Sequence, residues 1–147
     1  MLVLLLACAA ETPPPADPHM AQMEATRDRL RSELGTAYDE PVEGLATADP
    51  AHGKQLFDQI CAACHGPAGK GDGPAGTGLN PPPADFTDPD HARFYSDRAR
   101  LRILEQGVPG TGMPSFAATL SDQDRLDAYT YVKSLRGEGG GEHHHHH

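Results

Sequence analysis

Cys61-Ala62-Ala63-Cys64-His65 is the stretch that decides how this chain folds. Two thiols three positions apart admit three chemistries. A redox disulfide sets Cys-x-x-Cys near a helix start, usually inside a βαβ pattern. Here the pair follows a helix-forming stretch, and no segment alternates as a strand does. A structural zinc site needs four ligands, and no second Cys/His pair stands at finger spacing. The third chemistry is covalent haem attachment. Two cysteines bond the two vinyl groups of one porphyrin, and the histidine directly after them reaches the iron as proximal ligand. On the motif alone, two core cysteines beside a loop histidine remain an alternative.

An iron held by His65 has a second face. A thioether for it must come from a methionine far along the chain, on a loop rigid enough to hold it. Met113 stands between Gly112, which permits close backbone approach, and Pro114, which biases Met113 to an extended conformation. The other methionines lie at the start or in the N-terminal segment. The rival ligands are His91 on the long loop and His52 before the motif; either would give bis-imidazole iron at a lower potential. Met113 as a gap-filler in the core is the bland alternative.

The remaining sequence fits a small domain that needs a filler. Its 147 residues suit one domain, and 14 prolines, 16 glycines and no tryptophan leave little apolar bulk. A formal charge of −9 argues against nucleic-acid binding and suits docking on a basic partner. At the start, Leu2 to Ala7 is apolar and runs into Leu5-Leu6-Ala7-Cys8, similar to a bacterial lipobox with Cys8 as the lipidated residue. The run is too short to span a bilayer and lacks a basic n-region. Residues 1–8 therefore read as a leader remnant, and residues 9–45 as a tether with room for a short helix. Its proline-rich part runs from Glu11 to Pro18. Residues 46–137 form the domain proper, and residues 138–147 are a linker and His tag.

Local signals predict helices and no sheet. Met20, Met23, Leu30 and Leu34 make a weak stripe that Gly35 would end. That segment reads as an ancillary helix on the domain, part of the tether, or a docking helix. Asp49 as N-cap before Pro50 starts a helix carrying Leu56, Phe57 and Ile60 and ending at Cys61. Gly66 to Arg93 reads as a long functional loop. Ser96 caps the next helix, with Leu101, Leu104 and Val108 facing inward. Ser121 caps the last, which carries Asp122 and Asp124 in its first turn and ends near Lys133 and Arg136.

At this point the chain resembles the class I single-haem c-type cytochromes of bacterial electron-transport chains, from about Asp49 to Arg136. The stretches that carry the resemblance are Gly53-Lys-Gln-Leu-Phe57, Cys61-Ala-Ala-Cys-His-Gly66 and Gly107-Val-Pro-Gly-Thr-Gly-Met-Pro-Ser-Phe116. Leu120-Ser-Asp-Gln-Asp and Tyr129-Thr-Tyr-Val-Lys-Ser-Leu135 complete them. The resemblance implies an all-α cytochrome c fold, three main helices and long loops wrapped around one covalent haem c. It implies that the first and last helices cross at a small residue against an aromatic, here Gly53 against Tyr131. It also implies a proline carbonyl orienting the proximal imidazole, from Pro81, Pro82 or Pro83. Phe57, Leu79, Phe86, Leu104, Phe116 and Leu135 are the expected packing residues.

An iron closed by His65 and Met113 leaves no open catalytic position, so the expected role is electron transfer and not an enzyme activity. Partners are then redox proteins, with a quinol-oxidising complex as donor and a terminal oxidase or reductase as acceptor. A lipid at Cys8 would confine the domain near a membrane, outside the cytoplasm and in the periplasm of a respiratory cell. Two alternatives remain: a fixed cytochrome subunit of a larger membrane oxidoreductase, and a haem sensor or ligand-binding domain if Met113 leaves the iron.

Overall fold

A computed structural model describes residues 18–137, which are helical with no strand among them. The elements are α1 (Pro18–Leu34), α2 (Pro50–Leu56), α3 (Ala62–His65), α4 (Pro89–Arg93), α5 (Asp97–Gln106) and α6 (Asp122–Ser134). Short 3-10 turns occupy Gly35–Asp39 and Pro74–Gly76.

α2 starts as its sequence requires. The Asp49 carboxylate accepts from the amides of Ala51 and His52, and Pro50 fills the first turn. A π-helical turn, Phe57–Cys61, then joins α2 to α3. The extra residue in that turn sets the direction in which the cysteine–histidine motif leaves the helix. Ser96 caps α5 through the amide of Ala99, and Ser121 forms a capping box with Asp124 on α6. Within the stretch expected to be loop, Asp88 caps α4 with Pro89 behind it, the same signal as at Asp49-Pro50.

α2 crosses α6 at Gly53. A Cβ there would stand 1.9 Å from the Asp127 carbonyl oxygen and 3.0 Å from Tyr131 Cβ. Only glycine lets the two backbones come this close. The crossing is tied by Asp127, which is 4% exposed. Its carboxylate accepts from the Asp49 amide at 2.8 Å, from His52 Nδ1 at 2.8 Å and from Gln123 Nε2 at 2.9 Å. Burial alone would raise the Asp127 carboxyl, but these donors outweigh it and hold it below the usual carboxylate range. The same hydrogen bond raises His52. A histidine raised on folding stabilises the fold below its unfolded value of about 6.5 and ceases to do so above its folded value. The depressed Asp127 contributes above about pH 4 and is lost only as pH falls through its lower folded value. The pair is therefore strongest between about pH 4 and 6.5. His52→Ala is expected to lower the thermal midpoint more at about pH 5.5 than at about pH 9, measured by circular dichroism melts.

α1 is not a loose strand. Met23, Leu30, Tyr38, Tyr95 and Ala99 form one buried cluster, with Leu34, Phe94 and Ile103 packed against it. Leu30 is fully buried, which stabilises by about 2 kcal/mol. Arg27 lies 4.1 Å over the Phe94 ring, Arg31 lies 5.0 Å over Tyr38, and Tyr95 Oη donates to the Met23 carbonyl at 3.2 Å. The expected tether over 9–45 thus contains a 17-residue helix packed on α5. Met20 of the expected stripe is 39% exposed, while Thr26 takes a buried place. Cys8 and the other residues before Pro18, and the linker and tag at 138–147, lie outside the described residues. Among the described residues no helix is long and apolar enough to cross a membrane.

Candidate functional site

α3 ends at His65 because Gly66 turns the chain out with a φ of 82°. The following loop folds back on the motif: the amide of Gly73 donates to the Cys64 carbonyl at 3.1 Å, and that of Gly71 to the His65 carbonyl at 2.7 Å. A Cβ at Gly73 would stand 2.4 Å from the Ala63 carbonyl oxygen, so this return also needs glycine. Both cysteines are free thiols. Burial, with a smaller effect from Cys64, pushes the Cys61 thiol up to about 11. That keeps it protonated near neutral pH, the reverse of what a thiol–disulfide exchange site requires. Among the described residues no group of three or more His, Cys, Asp or Glu side chains converges as a metal site would.

The His65 ring is fixed on two sides. Its Nδ1 donates to the carbonyl of Ala84 at 3.1 Å, and Phe86 stacks on it at 4.4 Å and 25°. This corrects the expectation that Pro81, Pro82 or Pro83 supplies the carbonyl. The three prolines line the cavity beside the ring, and the next residue faces it with the acceptor. Burial holds His65 below its ordinary value, against a smaller opposite effect of the Ala84 bond. The imidazole is therefore neutral at pH 7, with Nε2 as its unprotonated nitrogen.

His65 and both cysteines open onto a cavity of about 340 Å³. Met113 lines the same cavity, carried by a loop that hydrogen-bonds to itself. Val108 N donates to the Met113 carbonyl at 3.1 Å, Met113 N donates to Thr111 Oγ1 at 3.2 Å, and Thr111 Oγ1 donates to the Val108 carbonyl at 2.7 Å. Gly107, with a φ of 70°, and Gly112 let this loop pack: a Cβ would stand 2.6 Å from Pro114 C at the first and 2.9 Å from Leu79 at the second. Leu79, Phe86, Leu104 and Phe116 line the cavity as expected. Phe57 and Leu135 do not; Phe57 lies behind it, edge-on to Phe86 and Tyr131, and Leu135 sits by Gly69. On α5 the lining residues are Arg100, Ile103 and Leu104, while Leu101 faces a second groove with Val42 and Leu126.

Of the rival ligands, His52 is held by Asp127 outside the cavity. His91 lines the cavity, with Nδ1 3.3 Å from an Arg100 nitrogen. Burial first, and then Arg100, pushes it down to about 4. Sequence reasoning missed Arg100, Tyr129, the Ala84 carbonyl and the α1 residues His19, Gln22, Met23 and Thr26 in the wall. Arg100 carries a signal in hindsight, since it lies three and four residues before Ile103 and Leu104 on one helix face.

The donor set fits a covalent porphyrin: two free thiols and an imidazole on one segment, a thioether on another, and apolar side chains between them. The comparisons agree. The chain matches the cytochrome c family over residues 50–136, more than half its length, and belongs to that family. It is also similar to a chain of the reducing HAO-like protein complex Kustc0457/Kustc0458 of Kuenenia stuttgartiensis, at 32% identity and a TM-score of 0.52. The match covers 66% of this chain and 46% of that one, so this chain spans less than half of that protein. No curated protein matches it. The cytochrome c domain carries covalent haem c and supports haem-based electron transfer.

Proposed function

We propose that this protein is a single-electron carrier in which Cys61 and Cys64 hold the haem by thioether bonds, and His65 and Met113 are its two axial ligands. The observation that carries the reading is the shared cavity: His65, oriented through Ala84, and the hydrogen-bonded Met113 loop both line it. When bound, haem c supplies a one-electron ferric/ferrous couple, whose potential thioether ligation raises. The Ala84 carbonyl fixes the tautomer of His65 and strengthens its Nε2 as a donor. Val108 N and Thr111 Oγ1 hold the Met113 backbone, which restricts where its sulfur can lie. Leu79, Leu104 and Phe116 line the cavity and would keep water from a haem bound there.

The donor would be a quinol-oxidising complex and the acceptor a terminal oxidase or reductase, met through a small, short-lived interface. The excess of acidic side chains favours a basic docking face on the partner and association that slows as salt rises. Lipidation at Cys8 would place the domain outside the cytoplasm, on a membrane surface in the periplasm. A second reading, a fixed cytochrome subunit of a larger oxidoreductase, draws on the similar chain's membership of a complex. Pull-down from native membranes separates the two: a subunit comes out with stoichiometric partners, and a shuttle comes out alone.

Met113→Ala tests the ligand assignment. The parent is expected to show the weak ferric charge-transfer band at the red edge of the visible spectrum that marks iron–sulfur ligation. The variant is expected to lose it, to bind carbon monoxide rapidly when reduced and to have a lower midpoint potential. Fast carbon monoxide binding by the reduced parent would sink the His/Met reading and favour a ligand-binding domain.

A further inference from the structure

Part of the cavity wall is polar and carries an uncompensated charge. Arg100 is 9% exposed, and its guanidinium lies 5.1 Å over the Tyr95 ring. It donates to the His91 carbonyl, and its Nε has no hydrogen-bond partner. Among the described residues no carboxylate pairs with it. A buried guanidinium without an anion is costly, so the missing charge has to come with the group that fills the space. Haem carries two carboxylates on one edge.

The wall around Arg100 is completed from outside the family domain. Gln22, Met23 and Thr26 of α1 line the same cavity, yet the cytochrome c match starts at residue 50. Tyr95 links the two elements, donating to Met23 while lying under Arg100. Arg29 of α1 also donates to Gln106 at the end of α5, at 3.2 Å. We propose that α1 and α5 together form a clamp for the haem carboxylates, in which Arg100 pairs with a propionate and α1 is the wall that keeps that pair out of water. The proposal rests on haem binding, and not on Met113 as ligand.

The clamp has an electrochemical consequence. The guanidinium keeps the carboxylate ionised, and its positive charge disfavours the ferric state. Besides Cys61, Cys64 and His65, the titratable groups lining this space with Arg100 are His19 from α1, His91 from α4, Tyr95, and Tyr129 from α6. Tyr38 and Arg136 act on Arg100 from further off. Burial holds both cavity tyrosines protonated and His91 neutral across the neutral range. Removing the guanidinium would free the carboxylate in a dry wall to take up a proton on reduction.

The test is a redox titration of the holoprotein from about pH 5 to 9. Arg100→Gln is expected to lower the midpoint potential and to add a pH-dependent limb absent from the parent. Arg100→Lys, which keeps the charge, is expected to stay near the parent. Gln22→Glu, which puts a carboxylate into the α1 wall, is expected to shift the potential in the same direction as Arg100→Gln. Reduced-minus-oxidised infrared spectra separate carboxylate from imidazole: the new limb must coincide with a protonated carboxyl band. Superimposable curves for parent and Arg100→Gln, or a limb without that band, would overturn the clamp. So would a lysine variant indistinguishable from the glutamine one, and an unchanged Gln22→Glu would remove α1 from it. Should Arg100→Gln yield no holoprotein, the parent alone decides, because two haem carboxyl bands both titrating in their ordinary range contradict the pairing. The red-edge sulfur band reads Met113 separately, so failure there leaves the Arg100 comparison intact.

Discussion

A chain carrying Cys61→Ala and Cys64→Ala together is expected to lose all acid-stable haem and its cooperative fold. The alanines themselves do no local harm, since both sit in or beside a helix that alanine favours. The loss comes from the cavity. An unfilled apolar space costs about 24 cal/mol per Å³ when its walls cannot relax, so 340 Å³ corresponds to roughly 8 kcal/mol. That is most of the roughly 5–15 kcal/mol by which a domain of this size is stable. The walls will move to reduce it, and the price of that movement is specific packing. Arg100 would also be left buried without an anion. The cluster of Met23, Leu30, Tyr38, Tyr95 and Ala99 lies between α1 and α5 and can persist, so far-ultraviolet helicity should survive better than the near-ultraviolet aromatic signal. Acid–acetone extraction with a pyridine haemochrome assay reads the haem, and a thermal melt reads cooperativity. Acid-stable haem in the double variant would overturn the attachment assignment. A colourless protein that melts sharply at the parent's midpoint would overturn the claim that the haem completes the core.

The part of the site legible in the sequence is the part whose chemistry is local. Cys61, Cys64 and His65 are consecutive enough to be read as one unit, and Met113 is marked by Gly112 and Pro114 beside it. The caps at Asp49, Ser96 and Ser121 are likewise local, and the all-helical cytochrome c fold follows from them together with the family resemblance. What stayed hidden depends on partners distant in the chain or on backbone atoms. The acceptor for His65 is a carbonyl, and carbonyls carry no sequence signature; three prolines beside it drew the expectation one residue short. The π-helical turn at Phe57–Cys61 has no composition of its own. α4 bears the Asp-Pro start, but its five residues are too few to show a helical period. α1 reads as marginal because two of the groups that hold it down are the cations Arg27 and Arg31, whose aromatic partners Phe94 and Tyr38 cannot be seen from the helix itself. Arg100 stayed hidden for the same reason, since its partners Tyr95 and His91 cannot be seen from its own helix.

Gly53→Ala sets two rules against each other, and their magnitudes decide the outcome. Gly53 is helical, and a helical glycine replaced by alanine gains about 1 kcal/mol from backbone entropy and propensity. Against that, the new Cβ would stand 1.9 Å from the Asp127 carbonyl oxygen and 2.6 Å from its carbon, both of them main-chain atoms that cannot rotate away. α2 must lift off α6, at an overpacking cost of about 1–3 kcal/mol or more. Lifting it also stretches the bonds from the Asp49 amide and His52 to a buried carboxylate; that of the amide is charge-assisted and worth about 1.5–3 kcal/mol. The net expectation is a loss of about 3 kcal/mol, or roughly 10 °C in thermal midpoint for a domain of this length. The effect should reach the iron as well, because α2 runs through the π-helical turn directly into Cys61 and His65. A weaker red-edge sulfur band or a lower haem yield in the variant would show that the helix crossing aligns the ligands and does not merely stabilise the fold. An alanine variant as stable as the parent, or more so, would mean that propensity wins and that the two helices do not approach this closely in solution.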